Sequence, residues 1–289
     1  MASQPWAFIC PSSRGIGHAL TRRLLRSTSL PILATTRHSD TAATKASLLE
    51  ELSGTSAPPH SSSSAQLSER LHLVRCDVTN EDSLQAAASR AAELFPSKTH
   101  HLHLACVIPG ILHAEKSPAQ VSHASSLQSF EVNAVGPLLV AKYFTNFLPR
   151  KTTQVAEDGD GGIADKHGSE RVQLPKHATW LSMAARVGST TDNRSGGWYS
   201  YRASKAAVFS LMHSLDLFLQ TRSGDRALAM AYHPGTVKTD FTRAYWRTVP
   251  EEKLFSTEYA AQRMLDVICA MRLEQRGRCL DWKGAEIPP

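Results

Sequence analysis

Short apolar runs alternate along the chain with stretches whose apolar residues recur every three to four positions, a pattern that predicts strands and helices in turn. Trp6-Ala7-Phe8-Ile9-Cys10 is the first run, and His18-Ala19-Leu20-Thr21-Arg22-Arg23-Leu24-Leu25 follows with helical spacing. Runs at 31–36, 71–76, 102–108, 177–182 and 227–232 read as five further strands, with Leu280-Asp281-Trp282 as a terminal one. Helical periodicity recurs at 46–52, 82–95, 125–148, from Tyr201 onward, and at 257–272. Strands alternating with helices predict an α/β protein with a doubly wound parallel sheet, in a single domain over residues 1–289.

Two stretches break the pattern. Residues 53–68 begin with Ser53-Gly54-Thr55-Ser56-Ala57-Pro58-Pro59, and residues 151–176 contain Glu157-Asp158-Gly159-Asp160-Gly161-Gly162. Neither composition buries enough apolar surface to order itself, so both are expected as flexible insertions in one domain.

Candidate chemistry collects in three places. After the first strand, Pro11-Ser12-Ser13-Arg14-Gly15-Ile16-Gly17 leads into a helix, a turn whose backbone N–H groups and helix N-terminus suit a phosphate. Arg37 follows the second strand, where an acid would grip ribose hydroxyls and a base accommodates a 2′-phosphate; with Arg14 it favours NADP(H) over NAD(H). Tyr201 and Lys205 lie four residues apart at the start of a helix, so phenol and ammonium share one face. A cation at 4 Å supplies about 4 kcal/mol at an effective dielectric of 20, enough to lower a phenol by about three units. Tyr199 has Ala203 in the corresponding place and is expected to shape the pocket, together with Trp198, Tyr245 and Trp246.

Composition narrows the partners. The net charge of +6 is spread along the chain without a basic stripe, which fits an anionic cofactor better than nucleic acid. No apolar run approaches membrane-spanning length, so no membrane partner is expected. The five scattered cysteines form no Cys-x-x-Cys pair, which predicts neither a disulfide framework nor a metal site and leads us to expect a cytoplasmic protein.

The order of Arg14-Gly15-Ile16-Gly17, Asn133, Ser182, Tyr201 with Lys205, and Pro234-Gly235-Thr236-Val237-Lys238-Thr239 resembles the short-chain dehydrogenase/reductase family over nearly the whole chain. Arg186-Val187-Gly188-Ser189, Gly196-Gly197-Trp198-Tyr199-Ser200-Tyr201-Arg202 and the ending Asp281-Trp282-Lys283-Gly284 are similar to its C-factor and sniffer-type carbonyl reductase branch. The resemblance implies a Rossmann fold and NADP(H)-dependent reduction of a ketone or aldehyde, or the reverse oxidation. It implies Tyr201 as acid, Lys205 on the nicotinamide ribose and Ser182 on the carbonyl oxygen. Asn133 would hold a water near Lys205, the alternative being that it bridges backbone groups. Ser13, Arg14, Gly15, Ile16, Gly17, Arg37, Asp77, Val78, Gly110, Pro234, Gly235, Val237 and Thr239 would contact the cofactor. A homodimer or homotetramer follows by the same analogy, and an NADP(H)-binding regulatory protein with little turnover is the alternative reading.

Three departures bear on these expectations. Pro11 replaces the family's first turn glycine, and Val107-Ile108-Pro109-Gly110 stands where asparagines are usual. Ser182 precedes Tyr201 by 19 residues, longer than the family interval, which keeps Ser189 as a second candidate for the serine.

Overall fold

The computed structural model describes residues 2–52, 63–155 and 172–289. In chain order its elements are β1 (Gln4–Cys10), α1 (Gly15–Ser27), β2 (Ile32–Thr36), α2 (Thr41–Leu49), α3 (Ser64–Arg70), β3 (Leu71–Arg75), α4 (Glu81–Leu94) and β4 (His100–Val107). There follow α5 (His123–Phe130), α6 (Gly136–Phe144), β5 (Ala178–Met183), α7 (Tyr199–Ser223), β6 (Ala227–His233), β7 (Thr236–Val237), β8 (Leu254–Phe255), α8 (Thr257–Ala270), β9 (Cys279–Asp281) and β10 (Glu286–Ile287). The main sheet runs β10-β9-β6-β5-β4-β1-β2-β3, parallel throughout except for the β10–β9 pair, and β7 with β8 forms a small separate ladder.

Period two explains why the central strand is apolar without a break. Trp6, Phe8 and Cys10 of β1 face a core shared with α4, α6 and α7, whereas Ala7 and Ile9 face a second core under α1 and α8. β1 pairs with β2 on one side and β4 on the other, so the strand order reverses beside it. Ligands in such sheets bind in the crevice beyond the carboxyl ends at that reversal. The departure after β4 is absorbed by packing: Val107 joins the first core and Ile108 packs against the second.

The long helix expected at 125–148 is divided. α5 passes through a π-helical turn (Glu131–Val135) into α6. Pro137 has no N–H to give the carbonyl of Asn133, four residues back, so the regular ladder is interrupted there. Parts of both expected insertions lie among the described residues. Residues 53–62 and 156–171 of those stretches lie outside the described residues, but 63–68 belong largely to α3, whose start is a capping box between Ser63 and Gln66. Val155 bridges to Ser3, and the N–H of Val172 donates to the Ser27 carbonyl at 3.0 Å, which ties the flanks of the second stretch to the sheet and α1.

Candidate active site

Tyr201 and Lys205 occupy the first turns of α7 on one face, as the four-residue interval requires. Tyr201 is 6% exposed and Lys205 is fully buried, its Nζ donating to the Met183 carbonyl at 2.8 Å. That ammonium lies 6.0 Å from the centre of the Tyr201 ring. Rings close around the phenol: Phe241 at 6.0 Å, Trp198 at 6.1 Å, and Tyr245 against Trp198 at 5.1 Å. Trp246 belongs elsewhere, between Lys238 and Arg243, and Tyr199 is 41% exposed.

The lowered phenol expected from the sequence is not what this environment produces. Burial, with a smaller contribution from Tyr245, holds the Tyr201 phenol well above its usual range. Burial also pushes the Lys205 ammonium down to about 7. The ammonium that could favour the phenolate is itself discharged by the same burial at about pH 7, so it offsets little of that cost. Desolvation therefore wins in the free protein, and the phenol stays protonated.

Asn133 is 0% exposed inside the π-helical turn. Its Oδ1 accepts from the Ile111 N–H at 2.8 Å, and its Nδ2 donates to the Ile111 carbonyl and to Ser204 Oγ, both at 3.0 Å. The side chain thus bridges backbone, fixing the segment after Gly110 to α7. A Cβ placed on Gly110 would stand 3.7 Å from Lys205 Nζ, Asn133 Oδ1 and Phe241 Cε2. Asn133, Lys205, Phe241 and Gly110 thereby share one small space.

The serines are placed differently. Ser182 lies within β5 at 0% exposure, and its Oγ accepts from the Trp180 indole at 3.3 Å, on the strand face turned into the core. β5 continues through Met183, and the residues that follow at the strand end are Ala184 and Ala185. Ser189 is also buried, its Oγ accepting from the Asp192 N–H at 3.0 Å and donating to the Pro289 carbonyl at 3.4 Å. Among the described residues neither hydroxyl has a hydrogen bond to Tyr201.

The remaining expected residues gather at the carboxyl end of β1. Gly15 adopts a φ of +58°, and a Cβ on it would stand 3.4 Å from Thr239 Cγ2, so the turn after β1 and the turn after β6 meet. At Gly17 a Cβ would come within 1.9 Å of the Pro11 carbonyl oxygen, which only glycine permits. The Cys10–Pro11 peptide bond is cis. Arg14 precedes α1 without a capping side-chain bond, which leaves the helix start open to an anion. Arg37 and Arg14 are exposed, and Ser13, Ile16 and Asp77 are half-buried. Val78 is buried against Gly136 of α6, and Gly235, next to Pro234, packs on Phe255 while Val237 is buried in β7. Open backbone donors, glycines in close approach and two basic side chains at one edge fit a phosphorylated dinucleotide.

Sequence reasoning missed Glu115, Arg202 and Phe241. Phe241 could have been found from its place in the same segment as Tyr245. Glu115 carried no signal, because its partner Ser200 is 85 residues away.

This sheet, crevice and buried Tyr-Lys pair define a Rossmann-type dinucleotide-binding oxidoreductase class. The chain is 30% identical over 168 residues to C-signal from Myxococcus xanthus, an alignment covering 58% of this chain and 81% of that protein. It superimposes on the NADPH-bound carbonyl reductase from chicken fatty liver with a TM-score of 0.73 at 22% identity, covering 100% of both chains. Carbonyl reductase Sniffer of D. melanogaster gives a TM-score of 0.72 at 21% identity, again covering 100% of both. No family model matches the chain. The chain belongs to the short-chain dehydrogenase/reductase family, in its sniffer and C-factor-like branch. Among the described residues no helix is long and apolar enough to cross a membrane.

Proposed function

We propose that this protein is an NADP(H)-dependent reductase of small ketones or aldehydes, working in reverse as an alcohol dehydrogenase. The observation that carries the reading is the buried approach of Tyr201 and Lys205 beside Gly110, at the sheet edge where the turns after β1 and β6 meet. The solved structure of the chicken carbonyl reductase, which has NADPH bound, supports the same cofactor class.

Ser13 to Gly17 and Thr239 would hold the pyrophosphate, with Asp77 and Val78 toward the adenine and Pro234, Gly235 and Val237 toward the nicotinamide. Arg14 and Arg37 would take a 2′-phosphate. The first acid after β2, Asp40, is already engaged, accepting from the Ala43 N–H at 2.9 Å as the cap of α2. That leaves basic side chains at the ribose position and supports NADP over NAD.

The chemistry supplied by the cofactor when bound is hydride transfer to a carbonyl carbon. Tyr201 is held protonated by burial, the form a general acid needs, and gives its proton to the developing alkoxide. Lys205 then faces a phenolate, and the pair is stabilised as the ammonium is retained. Asn133 holds the Gly110–Ile111 backbone against α7 and so fixes the floor of the pocket. Phe241, Trp198 and Tyr245 keep water from the phenol and give the carbonyl an aromatic wall.

A second reading is favoured by one observation: Ser182 Oγ accepts from the Trp180 indole on the core face of β5, which supports a pocket without that hydroxyl as its second donor. That would suit a nucleotide-binding regulatory protein of low turnover. The deciding experiment follows loss of NADPH, and separately NADH, absorbance against ketones, aldehydes and quinones for wild type and Tyr201→Phe. Turnover with NADPH that falls by about 10²–10⁴ in the variant supports the reductase. NADPH binding without turnover on any carbonyl supports the regulatory reading.

A further inference from the structure

The turn that delivers Tyr201 into the pocket is unusual in being left-handed over three consecutive residues. Gly196, Gly197 and Trp198 have φ of 62°, 67° and 52°. Trp198 offers no side-chain cap to α7, so the first N–H groups of that helix need an acceptor from elsewhere. The acceptor comes from the segment between β4 and α5. Glu115 is 4% exposed, and its Oε2 accepts from the Ser200 N–H at 3.0 Å while its Oε1 takes a short hydrogen bond from the Ser200 hydroxyl. Its own backbone carbonyl accepts from the Trp198 N–H at 2.6 Å.

Among the described residues no cation forms an ion pair with Glu115; backbone and hydroxyl donors at a helix N-terminus compensate its charge instead. Ser126 Oγ lies 2.8 Å from Ser200 Oγ, and since the Ser200 proton goes to the carboxylate, Ser126 is the donor in that contact. On the other side of Tyr201, the Arg202 guanidinium closes the turn. Its Nε donates to the carbonyls of Gly196 at 3.1 Å and Gly197 at 3.0 Å, and Nη1 to that of Val187 at 3.1 Å.

We propose that Glu115 is the positioning residue for Tyr201: its buried carboxylate fixes the first turn of α7, and with it the phenol, against a Lys205 that is independently anchored on Met183. The two halves of the pair are held by different parts of the chain, Lys205 by β5 and Tyr201 by the segment after β4. Both residues ride on α7, so their relation holds only while its first turn is intact; releasing Ser200 lets that turn fray and takes the phenol off the face it shares with Lys205. The catalytic consequence rests on the reading of Tyr201 as proton donor; the structural one does not.

The test uses the full chain as wild type, Glu115→Gln, and Ser200→Ala, which removes the hydroxyl contact and keeps the N–H contact. Amide hydrogen exchange is measured by peptide, alongside kcat and KM for NADPH with a carbonyl that the wild type reduces. The expected result for Glu115→Gln is exchange about tenfold faster over residues 196–204 with sheet peptides unchanged. With it goes a loss of kcat of about 10- to 100-fold at a KM for NADPH within about twofold of wild type. Ser200→Ala should fall between the two. Unchanged exchange over 196–204, exchange that rises equally everywhere, or faster local exchange with unaltered kcat would each overturn the assignment. If the wild type reduces no carbonyl, the reductase reading fails, and the local exchange result alone decides whether Glu115 fixes the turn.

Discussion

Lys205 Nζ donates a 2.8 Å hydrogen bond to the carbonyl of Met183, the last residue of β5, and burial leaves that ammonium with a pKa of about 7. An unfolded lysine titrates near 10.5, so between these values the unfolded chain binds more protons than the folded one. Stability contributed by this group is accordingly lost as pH falls from about 10.5 to about 7, and recovered on the way up. Relative to Lys205→Met, the wild type should gain roughly 2 kcal/mol between pH 7.5 and pH 9. Urea unfolding of both proteins at the two pH values checks this; parallel pH profiles would show that the ammonium is not desolvated.

The two glycines of the crevice should respond oppositely to the same added methyl. In Gly17→Ala the new Cβ meets the Pro11 carbonyl oxygen at 1.9 Å, a backbone atom that cannot swing away. A loss of about 2–3 kcal/mol and of NADPH binding is expected. In Gly110→Ala the nearest atoms stand at 3.7 Å, so the fold should hold within about 1 kcal/mol. The methyl projects between Lys205, Asn133 and Phe241, however, and kcat/KM should drop. Thermal unfolding and NADPH fluorescence titration separate the two outcomes.

Asn133 was legible as a special residue, and of its two sequence readings the bridging of backbone groups is the one its hydrogen bonds match. Truncation in Asn133→Ala removes the partner of both the N–H and the carbonyl of Ile111 and the bond to Ser204. The expected cost is about 2–4 kcal/mol, since backbone groups are left without partners in a part-buried place. Asn133→Asp keeps an acceptor for the N–H but sets an oxygen against the Ile111 carbonyl, so it should be no more stable than the alanine variant. Urea midpoints with unchanged slopes would measure both.

The strands and most helices were readable because parallel strands buried on both faces must be apolar throughout and helices must repeat their apolar positions. The serine-rich stretch ahead of α3 read as a flexible insertion because composition hid the Ser63–Gln66 capping box. Tyr201 and Lys205 were legible because helix geometry alone sets their relation. For Ser182, period two already put it on the same face of β5 as Trp180, but the indole contact to its hydroxyl needed the fold. Glu115 was beyond reach: its bond to Ser200 exists only once β4 and α7 are brought side by side. The direction of the phenol shift was missed because charge was weighed at 4 Å without the cost of burying both groups.

The acid limb of stability should be set at the other end of the sheet. His101 of β4 is buried, its Nδ1 lies 3.1 Å from Ser3 Oγ, and its Nε2 has no hydrogen-bond partner. Burial above all, and then His103 and His100 beside it, push its pKa down to about 4. His103, whose Nε2 donates to the Pro175 carbonyl at 3.0 Å, is pushed down to about 4 by burial as well. Both are neutral in the folded protein near pH 7 and would charge at about 6.5 once unfolded. The stability that comes from keeping them neutral is complete above pH 6.5 and is lost as pH falls through about 4. For His101 the loss reaches about 2 kcal/mol by pH 5, and His103 adds in the same direction. Urea unfolding at pH 7, 6 and 5 should therefore show a steep decline in wild type and a shallower one in His101→Gln, which has no proton to gain. Equal declines in the two proteins would place the acid sensitivity elsewhere than the amino end of β4.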